Sequence, residues 1–177
     1  MTYTGKCVVI ITGASRGFGQ QIAELILSET DGILGNMSPQ SRVILMSRDT
    51  TGLEQTKKLM QDIGGKELQV DTVSVDFANT ENLNAVLDAT LRGCAKDFEH
   101  AFLFSNAGVL GDPGKLLPEY TDLSEMERVY KINVVSPSYV ISRFCKHFDD
   151  ARQYVVNTSS LAALQPFRST GLYSTCE

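Results

Sequence analysis

An uninterrupted apolar run near the N-terminus is followed at once by three closely spaced glycines. Residues 6–12 are nearly all apolar or β-branched, which is typical of a strand that is buried on both faces of a parallel sheet. A helical pattern begins at Gly17, with Ile22, Leu25 and Ile26 at helical spacing. A buried strand, a glycine-rich turn and an amphipathic helix in this order predict an α/β fold with a βαβ unit at its start.

The glycine-rich turn has the spacing expected of a phosphate cradle. Gly13 permits a tight turn, Gly17 lets the backbone approach a pyrophosphate, and Gly19 allows the helix to pack on the strand. Free N–H groups at the helix N-terminus favour an anion there. A plain glycine turn is the alternative, but the flanking strand and helix favour nucleotide binding. The predicted cofactor-binding residues here are Gly13, Ala14, Ser15, Arg16, Gly17, Phe18 and Gly19.

The remainder of the chain continues the alternation of strands and helices. Further strands are predicted at residues 42–47, 67–75, 101–105 and 154–158, and residues 30–41 have the composition of a loop. Thr51 and Glu54 form a capping-box pattern at the start of a second helix. Residues 122–146 are predicted to be mostly helical, with a kink or division at Pro137. The whole pattern predicts one Rossmann-type, doubly wound parallel sheet of about five strands, in a single domain spanning residues 1–177.

Composition excludes several function classes. A net charge of −5 argues against nucleic acid as the main partner, and the longest apolar run, Cys7 to Ile11, is too short to span a membrane. The four cysteines are scattered, without the paired spacing of a metal site, so no metal is expected. We interpret them as reduced, which indicates a cytoplasmic protein.

The spacing of the turn, T-G-x-x-x-G-x-G, resembles that of the short-chain dehydrogenase/reductase family, and other motifs of this family match in order. Asp76 and Phe77 follow the third strand, Asn133 lies within a helix, and Ser160 precedes Tyr173 by 13 residues. The motif after the fourth strand is Asn106-Ala107-Gly108.

The resemblance implies a role for each of these residues. Asp76 and Phe77 would lie against adenine, and Ser160, Tyr173 and Asn133 would be catalytic. Tyr173 would donate a proton to a carbonyl oxygen that Ser160 also holds. Taken alone, Asp76 is better explained as a helix cap, and the other three as ordinary surface, loop or helix-start residues; the ordered set favours function.

The end of the second strand indicates which cofactor binds. It reads Ser47-Arg48-Asp49, and Arg48 suits a 2′-phosphate, with Arg16 as a second positive charge. This favours NADP(H). The alternative is that Arg48 is solvated and Asp49 binds the ribose, as in NAD-specific sites.

Residues 159–167, the glycine turn with Phe18 and the segment 106–112 are similar to those of the sepiapterin reductase branch of the family. This similarity implies an NADPH-dependent carbonyl reductase that acts on a pterin side chain in tetrahydrobiopterin biosynthesis. A general short-chain carbonyl reductase with another small-molecule ketone substrate, and a noncatalytic nucleotide-binding remnant, remain alternatives.

One family position does not match. The family has a lysine four residues after its tyrosine, where this chain has Glu177. The resemblance also implies further strands beyond this point. We therefore expect an incomplete domain without its C-terminal strands, doubtful activity for the 177-residue chain, and impairment of the homodimer typical of the family.

Overall fold

The computed structural model describes residues 5–27, 38, 40–64, 68–165 and 167–177. The strands are β1 (Cys7–Thr12), β2 (Arg42–Ser47), β3 (Gln69–Ser74), β4 (His100–Ser105) and β5 (Arg152–Asn157). The helices are α1 (Gly17–Leu25), α2 (Thr50–Gly64), α3 (Thr80–Arg92), α4 (Leu123–Tyr130), α5 (Ser136–His147) and α6 (Gly171–Cys176). Short 3₁₀ turns lie at Leu117–Glu119 and Leu161–Ala163. Most of the predicted loop at residues 30–41, and Glu67 of the predicted third strand, lie outside the described residues.

The five strands form one parallel sheet in the order β3-β2-β1-β4-β5. Successive side chains of a strand point to opposite faces of the sheet. On one face of β1, Val8 and Ile10 pack in a cluster with residues of α3 and α5. On the other face, Val9 and Ile11 pack with residues of α1 and α2. The prediction of a Rossmann-type, doubly wound sheet with five strands is therefore confirmed.

The order of the strands fixes where a ligand can bind. The chain moves outward from β1 to β2 and β3, and then returns to pair β4 with the other side of β1. The carboxyl ends of all five strands lie at the same edge of the sheet because the strands are parallel. A crevice forms where the strand order reverses, so the predicted site residues that follow each strand converge there.

The start of α2 differs from the prediction of a capping box. The side chain of Asp49 accepts a hydrogen bond from Gly52 N–H at 3.0 Å, and the helix begins at Thr50. Glu54 instead accepts a hydrogen bond from the hydroxyl of Thr72 on β3, at 2.7 Å. Thr51 and Glu54 therefore do not form the cap. Asp49 caps the helix, and Glu54 is instead engaged by its hydrogen bond with Thr72.

The predicted division of the long helical segment is present, just before Pro137. Residues Lys131–Val135 form a π-helical turn between α4 and α5, and Ser136 N–H donates to the carbonyl of Lys131. Pro137 lies in the first turn of α5, where its missing N–H costs little. Because proline cannot donate to the carbonyl four residues earlier, the wider turn lies where the regular helical ladder is interrupted.

The two ends of the chain differ in burial. Every residue of β1 is buried, whereas β5 lies at an edge of the described sheet and has Val155 and Val156 at 40% and 48% exposure. Leu25, predicted to be on the apolar face of α1, is also exposed.

Among the described residues, no helix combines the length and apolar character needed to cross a bilayer.

Candidate functional site

A cavity of about 630 Å³ opens at the carboxyl ends of β1, β2 and β4. Its volume lies within the range of small-molecule sites, which is roughly 300–1,000 Å³. Thirteen of the fourteen predicted cofactor-binding residues line it: Gly13, Ser15, Arg16, Gly17, Phe18, Gly19, Ser47, Arg48, Asp76, Phe77, Asn106, Ala107 and Gly108. The exception is Ala14, which is fully buried and accepts a hydrogen bond from Thr56 through its carbonyl.

The glycine turn has the geometry of a close-approach loop. Gly13 and Gly17 have φ values of +69° and +57°, in the left-handed region where other residues are strained. A Cβ on Gly19 would lie 2.3 Å from the carbonyl oxygen of Gly13, so only glycine fits. A Cβ on Gly17 would meet no atom within 4 Å, because that position faces the open cavity. The turn therefore offers backbone N–H groups of α1 to an anion at close range.

Two serines connect this turn to the end of β2. The hydroxyls of Ser15 and Ser47 are 2.9 Å apart. Arg48 follows Ser47 and is about half exposed, and its Nε lies 4.0 Å from Oδ1 of Asp76. One end of the cavity therefore combines hydroxyls with the guanidinium groups of Arg48 and Arg16. Such groups suit an additional phosphate.

The structure favours one of the two interpretations of Asp49. Although Asp49 lines the cavity, its carboxylate is engaged by the N–H of Gly52 at 3.0 Å, as the cap of α2. One oxygen of this carboxylate serves the helix, whereas the side chain of Arg48 is about half exposed at the cavity. Asp76 is not the cap of α3, because Asn79 fills that position by accepting from Asn82 N–H. The carboxylate of Asp76 instead accepts from Ala78 N–H and faces the cavity.

Thr12 is a residue whose role in the site was not predicted. Its hydroxyl oxygen accepts hydrogen bonds from the N–H groups of Asn106 and Ala107, at 2.9 and 3.0 Å. The side-chain amide of Asn106 donates in turn to the carbonyl of Thr12 at 3.2 Å. These bonds fasten the loop after β4 to the end of β1. The threonine at the head of the glycine motif was the only signal of this role in the sequence.

Asn133 lies in the π-helical turn and contacts the same loop. Its side-chain oxygen accepts from Val109 N–H at 2.9 Å, and its amide donates to the Val109 carbonyl at 2.8 Å. Both amide atoms therefore bond the backbone of Val109, and Asn133, which also lies near the thiol of Cys176, holds the loop in position. Its catalytic role stays a prediction, and Asn133 also lines the space beside Tyr173.

Ser160 and Tyr173 come together as the spacing predicted. Ser160 begins the 3₁₀ turn after β5, and Tyr173 lies in α6. Partial burial raises the pKa of Tyr173 above its ordinary value, a hydrogen bond with Ser160 opposes this shift, and the negative charge of Glu177 adds to it. The hydroxyl of Ser160 therefore lies near that of Tyr173, and the environment of Tyr173 favours its protonated form.

A smaller cavity of about 80 Å³ lies beside Tyr173. Tyr173, Cys176 and Glu177 line it from α6 and the residue that follows. Asn106, Ala107 and Gly108 line both cavities, so the two spaces adjoin across the loop that follows β4. Partial burial raises the pKa of the Cys176 thiol, as does the charge of Glu177, so this thiol is kept neutral.

Among the described residues there is no group of three or more His, Cys, Asp or Glu side chains that could hold a metal ion.

Comparison with known proteins now decides the family. The family model described as short chain dehydrogenase matches residues 7–176. The chain belongs to the short-chain dehydrogenase family. The resemblance predicted from the motifs is therefore confirmed, and the family assignment makes the chain a member of an oxidoreductase family.

Three relatives of different kinds illustrate the similarity. Sepiapterin reductase of Xenopus laevis is 32% identical over 174 residues, which cover 96% of this chain and 62% of that protein. A metagenomic short-chain oxidoreductase in complex with NADP is 26% identical, with a TM-score of 0.76 over 96% of this chain and 69% of that one. L-sorbose reductase of Gluconobacter frateurii, complexed with NADPH and L-sorbose, has a TM-score of 0.77 at 22% identity, over 99% of this chain and 60% of that one. The chain spans about 62% of the length of the sepiapterin reductase that it matches.

Proposed function

We propose that this chain forms the NADP(H)-binding and carbonyl-orienting site of an NADPH-dependent carbonyl reductase of the sepiapterin reductase type. The observation that carries the proposal is the continuity of the site. A cavity that begins at Arg48 and Asp76 passes the glycine turn and adjoins the smaller cavity beside Tyr173. A nucleotide-binding cleft that leads to a pair of hydroxyl groups is suited to the reduction of a carbonyl group.

The residues of the larger cavity fit the cofactor in detail. The left-handed Gly17, with open space where a side chain would be, allows a pyrophosphate to approach the N-terminus of α1. Arg48 and Arg16, with the hydroxyls of Ser15 and Ser47, would hold the 2′-phosphate. Asp76 and Phe77 would lie against the adenine. The commitment of Asp49 to capping α2 supports a preference for NADP(H) over NAD(H).

The hydroxyl pair would handle the carbonyl oxygen. NADPH, when bound, supplies the hydride for the carbonyl carbon. Tyr173 would hydrogen-bond the carbonyl oxygen and deliver its proton as negative charge develops there. Ser160 would donate a second hydrogen bond to that oxygen and fix its position. Asn133 and Thr12 would keep the loop after β4 in place between the two cavities.

The proposed substrate is a pterin with a carbonyl-bearing side chain, which would place the protein in tetrahydrobiopterin biosynthesis. The support is the 32% identity with sepiapterin reductase of Xenopus laevis over nearly the whole chain. Pro166, in the segment that resembles this branch, lies outside the described residues.

The match over residues 7–176 supports a single domain, and four free cysteines fit a reducing compartment such as the cytoplasm. A general carbonyl reductase is the alternative, because L-xylo-3-hexulose reductase of Hypocrea jecorina is 28% identical.

A second candidate function is NADP(H) binding without turnover. It is favoured by Glu177, which stands where the family resemblance implies a lysine. Partial burial and the negative charge of Glu177 both raise the pKa of Tyr173, so its hydroxyl is a weaker acid. A weaker acid transfers its proton to the developing oxyanion less readily. We therefore expect any reductase activity of this chain to be slow.

The test combines a binding measurement with an assay. Isothermal titration with NADPH reports the cofactor site, and NADPH oxidation with sepiapterin reports turnover. Tyr173→Phe should abolish turnover and retain NADPH binding, whereas Tyr139→Phe, a matched loss of a hydroxyl that bonds Asn84, should change neither. Failure to bind NADPH would contradict both candidates. Binding without turnover would favour the second candidate, and turnover of other ketones but not sepiapterin would favour the general reductase.

A further inference from the structure

The position of Glu177 relative to Tyr173 is fixed by the last turn of the described chain. The N–H of Glu177 donates to the carbonyl of Tyr173 at 3.2 Å, so the helical turn of α6 continues to this residue. Residues four apart on a helix lie on the same face, one turn from each other. Glu177 accordingly lines the smaller cavity together with Tyr173 and Cys176.

The larger cavity is lined by charges of both signs, from Arg16, Arg48, Asp49 and Asp76, whereas the smaller cavity is lined by one charged residue. Arg16 and Arg48 line the larger cavity, at the end where the proposed 2′-phosphate and pyrophosphate would bind. Of the described residues around the smaller cavity, Glu177 alone carries a formal charge, and the others are neutral polar or apolar groups. The smaller cavity therefore presents a single formal charge, and that charge is negative.

This charge pattern distinguishes the two redox forms of the cofactor. NADP⁺ and NADPH carry the same phosphates, but only the oxidised form has a positive charge on its nicotinamide ring. A dinucleotide anchored by its phosphates at the glycine turn would extend past the shared residues Asn106, Ala107 and Gly108 toward the smaller cavity. A carboxylate at that end attracts the oxidised ring and gives no such attraction to the reduced ring.

We infer that Glu177 makes this chain bind NADP⁺ more tightly than NADPH. The inference rests on the proposed NADP(H) site and deepens it by naming the preferred redox form. Glu177 is exposed, so solvent screens the attraction, and we expect a dissociation constant for NADP⁺ that is about 3- to 10-fold lower than that for NADPH. The chain would thereby retain the product form of the proposed reduction.

The experiment measures the dissociation constants of both forms by isothermal titration, for the chain and three variants. Glu177→Gln removes the side-chain charge at nearly constant size and should bring the ratio of the two constants closer to 1. Glu177→Lys should invert the ratio and favour NADPH. Glu81→Gln, an exposed carboxylate in the first turn of α3 that lines neither cavity, should leave the ratio of the wild-type chain unchanged.

Each outcome has a distinct meaning. A ratio that follows the charge at position 177 supports the inference, whether or not the chain turns over any substrate. Equal binding of both forms by the wild-type chain, or a ratio that Glu177→Gln does not change, overturns the inference and leaves the proposed cofactor site intact. Absence of binding by both forms overturns the proposed function as well as the inference.

Discussion

The cofactor half and the carbonyl half of the site are built by different means. The larger cavity rests on β1, whose six residues are all buried, and its shape is set by backbone carbonyls, N–H groups and glycines. The hydroxyl pair rests on β5, an edge strand of the described sheet, and on α6, which has only six residues. Its geometry depends on side-chain contacts such as the 2.7 Å hydrogen bond between Tyr130 and Thr175.

This difference determines how each half responds to mutation. A change in the glycine turn disturbs the packing between β1, α1 and the loop after β4, so binding and stability should fall together. A change in the carbonyl half affects half-exposed side chains, so the chemistry can change while the fold persists. The departure of Glu177 from the family pattern lies in this second half, where the fold tolerates it.

The largest expected effect is that of Gly19→Ala in the cofactor half. The new Cβ would lie 2.3 Å from the carbonyl oxygen of Gly13. Neither atom can rotate away, because the carbonyl belongs to the backbone and the Cβ is attached directly to it. We expect a loss of about 2–3 kcal/mol in the free energy of unfolding and no detectable NADPH binding. Gly93→Ala is the control, because its Cβ would meet nothing closer than 3.4 Å. The melting temperature should fall by about 5–10 °C for Gly19→Ala and stay nearly unchanged for Gly93→Ala. Equal decreases for both variants would show that the close contact at Gly19 does not determine stability.

The second prediction concerns the free energy of unfolding at alkaline pH, which depends on the buried thiol of Cys7 in β1. Burial, and next the charge of Glu99, raise the pKa of the Cys7 thiol from 9.0 to about 11. The unfolded chain loses this proton near pH 9 while the folded chain keeps it. The resulting stability is therefore fully present below pH 9 and is lost as the pH rises toward 11, by about 2–3 kcal/mol.

Urea denaturation at pH 8 and pH 10.5 measures this loss. Cys7→Ala should show a shallower decline between the two pH values than the wild-type chain. Val8→Ala, also in β1 and fully buried, is destabilising without removing an ionisable group, so it should decline as steeply as the wild-type chain. Identical slopes for the two variants would mean that the thiol contributes nothing to the decline.

Sequence patterns predicted the cofactor half better than the contacts that support it. The bounds of β2 followed from the local pattern of apolar residues, because burial on a sheet repeats along the strand. The roles of Thr12 and Asn133 depend on hydrogen bonds to residues 94 and 24 positions away, which no local pattern encodes. The cap of α2 was misassigned because Thr51 and Glu54 have capping-box spacing, whereas in the fold Asp49 caps the helix and Glu54 bonds Thr72.

The third prediction tests cofactor choice at the exposed end of the larger cavity. Arg48→Asp should weaken NADPH binding about 10- to 100-fold, because a charge-assisted contact with the 2′-phosphate is replaced by repulsion. NADH, which lacks that phosphate, should bind with little change. Arg128→Asp, an equal change of charge at an exposed position on α4 outside the cavity, should affect neither cofactor. Equal losses for NADPH and NADH would show that Arg48 does not contact the 2′-phosphate.

The smallest expected effect lies in the carbonyl half and separates burial from charge at Tyr173. Burial raises the pKa of Tyr173 most, and the charge of Glu177 raises it further. Glu177→Gln should therefore lower this pKa without bringing it down to the ordinary value of 10.0, because the burial remains. The change should leave the melting temperature nearly unaltered, since both side chains are partly exposed and no core contact is lost.

Tyrosine ring ¹³C chemical shifts, followed between pH 8 and pH 12, measure this pKa directly, and the signal that disappears in Tyr173→Phe identifies the residue. Glu81→Gln is the matched loss of a carboxylate at a position that lines neither cavity. A pKa that falls for Glu177→Gln and not for Glu81→Gln means that a charge in the carbonyl half tunes the proposed proton donor while the cofactor half is undisturbed. A pKa that stays constant in both variants would assign the whole shift to the partial burial of Tyr173. The side chain of Glu177 would then have no part in setting the acidity of the proposed proton donor.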